Sequence, residues 1–160
     1  MTIFDDGDVI RGVGFVAVYS AYLEDEIAEL IELTTNITPL RKGIHQLSLT
    51  DQAKHLSKAL KKLFKETHQW IGKEEEQTQT AHILKVVGKI TPERNQAIHS
   101  QLISNQAGII TQKNRRLNTV GQIKSSDVYD LANYIFDLTS EVRRIQFTIG
   151  RLAKHFINNN

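Results

Sequence analysis

Cysteine is absent from the 160 residues, which excludes a disulfide framework, a thiolate nucleophile and cysteine-ligated zinc or iron–sulfur sites. Proline occurs only at positions 39 and 92, so long helices meet few obligatory breaks. Neither sign of charge prevails: 20 Lys and Arg against 18 Asp and Glu leave a formal charge of +2. Any nucleic-acid contact must therefore rest on a local patch rather than on bulk charge. The longest apolar stretch, Val13 to Tyr22, is interrupted by Gly14 and Ser20 and falls short of the ~20 residues of a membrane span. Phe4-Asp5-Asp6-Gly7-Asp8 is acidic where a signal peptide is basic. The motifs GxxxxGK[ST], GxGxxG, GxSxG and HExxH are all missing, which removes support for phosphate-loop, dinucleotide, serine-hydrolase and zinc-protease chemistry. His45, His55, His68, His82 and His155 are scattered, and His82 near Glu74-Glu75-Glu76 reads as a solvent-exposed coincidence. The expectation is a cytoplasmic chain with no membrane span, no metal and no cofactor.

What the chain does have is helical periodicity. Val9, Val13, Val16, Leu23, Ile27 and Leu30 recur at three- and four-residue spacings, and Thr35 to Pro39 closes that segment. A second stripe, Phe15, Tyr19 and Tyr22, widens its apolar face beyond one core contact. Capping residues between Ser48 and Asp51 open a second helix with a seam of Leu49, Ala53, Leu56, Leu60, Leu63 and Trp70. Its outer face carries Lys54, Lys58, Lys61, Lys62 and Lys65, which reads as a solvated face or as a surface that tracks phosphates. The acidic run from Glu74 opens a third helix with Ile83, Leu84, Val87 and Ile90. Thr91-Pro92-Glu93 reads either as a new N-terminus, with Pro at the first helical position, or as a kink. From Gly108 to Lys124 the pattern changes: Ile109 to Thr111 resembles a strand, Gln112 to Asn114 a turn, and Arg115 to Val120 a return strand. Val128, Leu131, Ile135, Leu138, Val142, Ile145, Ile149, Leu152 and Phe156 then form an unbroken heptad seam. The fold class is all-α: a helical bundle of four to five helices with a short β-hairpin or irregular loop before the long last helix. One domain spans 1–160, with 1–8 and 158–160 as flexible tails.

The most informative segment is Arg94-Asn95-Gln96-Ala97-Ile98-His99. At about 100° per residue, Asn95 and His99 share one helix face, with Arg94 flanking Ile98 and Leu102. Extending the stripe 83, 87, 90 by four lands on Arg94, a charge in an apolar seam. A guanidinium offers a permanently charged fork for phosphate. A histidine, with an unperturbed pKa near 6.5, exchanges protons at neutral pH. Asn95, four residues before His99, is placed to bond one ring nitrogen and select its tautomer. Together the three suit metal-free phosphodiester chemistry, although Arg and His five apart also occur on ordinary helix surfaces. Lys113, Arg115 and Arg116 put three cations into four residues and are candidate RNA contacts, weighed evenly against solvation.

The arrangement Arg94-Asn95-x-x-x-His99, with long helices before it and a short irregular segment and a long helix after it, resembles the HEPN superfamily of small all-helical ribonucleases and toxins. The likeness covers most of the chain. It implies a metal-independent endoribonuclease of toxin or phage-defence type, with Arg94, Asn95 and His99 as the catalytic set. It also implies a homodimer with a composite cleft and a protein antitoxin as partner. Family toxins silenced by nucleotidyl transfer carry a Tyr two residues after the His; here that position is Gln101, which argues against such control. The alternatives are a non-catalytic helical binding or scaffold protein, and a helical partner of a nucleotidyltransferase.

Overall fold

The computed structural model describes residues 8–66, 73–104, 110–114 and 119–158. The fold is all-α: helices α1 (Asp8–Ile37), α2 (Leu49–Glu66), α3 (Lys73–His99) and α4 (Ser125–Asn158), with one 3₁₀ turn at Ile44–Gln46. A small antiparallel sheet precedes α4, with β1 (Gln101–Ser104), β2 (Ile110–Asn114) and β3 (Thr119–Gln122) in the order β1-β2-β3. The expected hairpin is thus present with one further strand. Gln112 to Asn114, read as a turn, lies in the central strand, and Leu102, read as helical, lies in β1 opposite Gln112. The hydrophobic seams hold, except that Trp70 and the side chain of Phe156 lie outside the described residues.

Local chemistry explains the helix bounds. Ser48 caps α2: its Oγ accepts the backbone N–H of Asp51 at 3.2 Å and donates to Asp51 Oδ2 at 2.9 Å. Before it, Gly43 adopts the left-handed conformation (φ 78°) that leads the chain into the 3₁₀ turn. Thr91-Pro92 does not begin a helix: α3 runs continuously through both residues. Proline has no N–H for the carbonyl of Gly88, four residues earlier. That carbonyl instead accepts the Thr50 hydroxyl from α2 at 3.0 Å. A cross-helix hydrogen bond satisfies the acceptor that Pro92 leaves without a partner, so the helix can continue.

The chain divides into two compact units, one made of residues up to Tyr22 with Pro92–Asp137, the other of Leu23–Thr91 with the segment from Leu138 onward. The second unit holds nearly all of the largest fully buried side chains, including Leu23, Ile27, Leu56, Phe64, Leu84 and Ile149. Each such side chain contributes roughly 1.5–3 kcal/mol through burial. Within this unit, Glu26 of α1 is 13% exposed at its side chain and accepts Arg143 Nε at 2.9 Å, Arg143 Nη2, and Gln146 Nε2 at 2.7 Å, all from α4. That hydrogen bond, and the charge of Glu26, hold the Arg143 guanidinium above its ordinary pKa. Glu76 of α3 likewise accepts Arg151 Nη2 of α4 at 2.9 Å.

The first unit is built differently. Val9, Val16, Ala97, Val128, Ala132 and Ile135 are buried, but among the described residues only Ile135 of these is a large side chain fully removed from solvent. Gly12 allows a close approach: a Cβ there would stand 3.0 Å from Val128 Cγ1. On its surface an aromatic group joins α1 and α4, with Tyr19 packed on Phe136 (centroids 5.1 Å), Phe15 (5.8 Å) and Tyr22 (6.4 Å), and Phe15 on Tyr129 (5.9 Å).

Candidate functional site

Arg94, Asn95 and His99 occupy the last two turns of α3, in the first unit. Because α3 continues through Pro92, Arg94 lies in the helix interior and not in a first turn with open N–H groups. Its side chain is half-buried, while Asn95 and His99 are exposed. Ala97 supplies the buried anchor beneath them, at 6% exposure.

The guanidinium makes a two-pronged contact with its neighbour. Arg94 Nε donates to Asn95 Oδ1 at 3.2 Å and Nη2 donates to the same oxygen at 2.9 Å. This revises the expected role of Asn95, whose carboxamide oxygen orients Arg94 rather than the His99 ring. The reason is energetic: a hydrogen bond from a charged donor outcompetes one between two neutral groups. With its oxygen committed, Asn95 keeps its NH₂ group as a donor. His99 forms no hydrogen bond or ion pair with a described residue, so its imidazole stands in solvent at the helix end. Beside it the Ser100 hydroxyl is buried and has no hydrogen-bond partner among the described residues.

The helix end is fastened to the sheet. Gln112 Nε2 of β2 donates to the backbone carbonyl of Gln96 at 2.6 Å, satisfying one of the last carbonyls of α3. Sequence reading missed this residue by assigning it to a turn; no local signal announces a strand whose partner lies ten residues away. Lys113 follows in β2, paired with Gln101 of β1 and Val120 of β3. Strand side chains alternate, so Lys113 stands on the face of the sheet opposite Gln112. The structure therefore does not bring Lys113 to Arg94 and His99 by way of the Gln112 tether. Arg115 and Arg116 lie outside the described residues.

Helical geometry limits what a single copy does. Five residues separate Arg94 from His99, which is about 7.5 Å of rise and some 140° of rotation. The fork and the imidazole thus leave the helix on different flanks. A single chain therefore sets a guanidinium and an imidazole side by side, not converging. Among the described residues no group of three or more His, Cys, Asp or Glu is placed to hold a metal ion. No described helix is long and apolar enough to cross a membrane. Comparisons with protein-family models, characterised proteins and solved structures find no match to this chain.

Proposed function

We propose that this protein is a metal-independent endoribonuclease of the HEPN type, acting in a toxin or defence role, with Arg94 and His99 as its catalytic residues and Asn95 as the positioning residue of Arg94. The observation that carries the reading is the Asn95 Oδ1 clamp on Arg94 Nε and Nη2, followed within two turns by an exposed imidazole. A clamped guanidinium is preorganised for the charge that develops on phosphoryl oxygens. An exposed histidine at neutral pH accepts or donates a proton, a contribution typically worth 10²–10⁴-fold.

In this reaction the 2′-OH of RNA attacks the adjacent phosphorus and gives its proton to a His99 imidazole. The P–O5′ bond breaks, and the departing oxygen takes a proton from an imidazolium. The products are a 2′,3′-cyclic phosphate and a 5′-OH, and DNA resists because it has no 2′-OH. Two proton-transfer groups and a converging guanidinium are best supplied by two copies of α3, so the reading includes a homodimer with a composite cleft. The exposed aromatic surface of the first unit supports such an association.

The deciding assay is cleavage of RNA in EDTA by the parent, Arg94→Ala and His99→Ala proteins. Loss of cleavage in both variants with the helical content retained supports the assignment; undiminished activity in both sinks it.

The same aromatic surface favours a second reading, a non-catalytic binding or scaffold protein in which Arg94 and His99 are interface groups. Growth arrest on expression that His99→Ala abolishes rejects this second reading, and a harmless parent protein favours it. A cognate protein antitoxin belongs to the first reading alone.

A further inference from the structure

The second unit contains an open groove between α2 and α3, about 660 Å³ in volume, whose α3 bank ends at Lys89, five residues before Arg94. Its banks are cationic. Lys54, Lys58 and Lys61 follow one ridge of α2 at spacings of four and three, and Lys85 and Lys89 follow the facing ridge of α3 at a spacing of four. Among the described residues no carboxylate lines the groove. Asp51 pairs with Lys54 at 3.6 Å, in an exposed contact of little strength. Sequence reading sees the α2 lysines as a run, but it cannot see that Lys85 and Lys89 stand across from them.

The floor has a different character. Ala53, Ser57, Ala81 and Gly88 are small, and Leu84 adds an apolar base. Gly88 meets Thr50 closely: a Cβ there would stand 3.4 Å from Thr50 Cγ2, and the Thr50 hydroxyl already bonds the Gly88 carbonyl. Small residues at the bottom and long lysine stems at the rim leave a trough whose walls are methylene and whose crest is charged. From Thr50 to Lys61 the α2 bank is roughly 17 Å long, and from Ala81 to Lys89 the α3 bank is roughly 12 Å long, at 1.5 Å per residue. That matches two to three turns of a third helix laid on the pair.

We propose that this groove is a docking site for an acidic amphipathic helix of a protein partner. Small apolar side chains at i, i+3, i+4 and i+7 would face the floor, with Asp and Glu on both flanks to meet the two lysine rows. The charge pattern alone would also suit a nucleic acid, but the lining does not. Among the described residues no arginine lines the groove, so it has no guanidinium forks for phosphates, and its one aromatic ring is the exposed His82 imidazole, a single small platform where a run of bases needs several. Five lysines over an apolar floor complement carboxylates borne on an apolar stripe. The inference is independent of the ribonuclease reading, because no residue of the groove belongs to the Arg94–His99 segment.

The test uses the full chain and a fluorescein-labelled helical peptide of roughly four turns, with Ala and Leu on one face and Glu on the flanks, followed by fluorescence anisotropy. Saturable binding is expected that weakens at least tenfold in Lys58→Glu/Lys85→Glu and at least fivefold in Ala81→Leu, which fills the floor. Binding should also weaken as salt rises, because exposed pairs are screened beyond about 10 Å at 0.1 M. The same peptide with Lys in place of Glu serves as a control on the unaltered protein and is expected not to bind, so the comparison stands even if a variant folds poorly. An oligouridine and vesicles rich in phosphatidylserine are the competing probes. Tighter binding of either than of the acidic peptide overturns the proposal, as does equal binding of both peptides. Acidic-peptide binding unaffected by the lysine substitutions overturns it too. Ribonuclease activity, read in parallel, is expected to be unaffected by Ala81→Leu, so failure of one reading leaves the other measurable.

Discussion

At residue scale, the Arg94–Asn95 contact makes two substitutions at one position diverge. Asn95→Ala removes the oxygen that holds Nε and Nη2 but leaves the charge of Arg94 in place. A hydrogen bond to a charged group contributes about 1.5–3 kcal/mol, so a loss of about 10–100-fold in RNA cleavage is expected. Asn95→Asp goes further, since a carboxylate keeps the clamp, neutralises the guanidinium and repels phosphate; activity should fall to the level of Arg94→Ala. Cleavage rates at saturating RNA, compared across the three variants, check the order. Equal activity in Asn95→Asp and the parent would show that Arg94 does not meet phosphate through this fork. Two glycines in α1 offer a stability counterpart. No described residue lies within 4 Å of a Cβ at Gly14, so Gly14→Ala should stabilise by about 1 kcal/mol through helix propensity. A Cβ at Gly12 meets Val128 Cγ1 at 3.0 Å and Cβ at 3.2 Å, and Val128 is buried. Gly12→Ala is therefore expected to fall below Gly14→Ala by at least about 1 kcal/mol in urea denaturation, despite the identical change in chemistry.

At element scale, α3 depends on α2 for its continuity. Pro92 removes the intrahelical donor to Gly88 O, and the Thr50 hydroxyl replaces it. Thr50→Val should leave that carbonyl without a partner and cost about 1–3 kcal/mol. In a Pro92→Ala background the restored N–H reaches Gly88 O, and the cost of Thr50→Val should shrink by about 1 kcal/mol. Urea melts of the four proteins supply the cycle; strict additivity would show that the proline and the threonine are not coupled. The same contact explains where the sequence was legible and where it was not. The seams of α1, α2 and α4 follow from spacing alone, because buried residues such as Val16, Leu23, Leu56, Ile145 and Ile149 recur at helical intervals. Pro92 permits both a new helix and a continuous one, and the continuous one is supported by the Thr50 hydroxyl, 38 residues before the Gly88 carbonyl that it bonds. The strands fail for the same reason. Gln112 to Asn114 carry turn-forming polar residues, and their strand state is set by pairing with Gln101–Leu102 and Val120–Gly121 on either side. The candidate site was partly legible: the sequence singles out Arg94, Asn95 and His99, whereas the bond of the Asn95 oxygen to Arg94 is a matter of side-chain geometry that spacing does not rank.

At the scale of the whole molecule, the two units differ in how they bury apolar surface. The second unit has a deep aliphatic core, while the first leaves Tyr22 52% and Phe136 50% exposed, with Phe15 and Val18 also open on the same face of α1. A fully buried aromatic side chain removes 150–250 Å² from water, so this group leaves on the order of 400 Å² of apolar surface exposed. That is about half of what one side of a standard interface covers, with a polar rim to supply the rest. Under the proposed ribonuclease function this face would carry the self-association that a composite cleft requires. Sedimentation at micromolar concentration should give twice the 18.2 kDa protomer mass. Phe136→Lys, which sets an ammonium into the middle of the aromatic group, should sediment as a monomer while its melting temperature, extrapolated to low concentration, stays near that of the parent. Its RNA cleavage should fall in proportion to the dimer lost and recover as protein concentration rises. A parent that is monomeric at micromolar concentration, yet fully active in EDTA, would confine catalysis to one copy of α3. The 140° between Arg94 and His99 would then have to be bridged by the length of the arginine side chain alone.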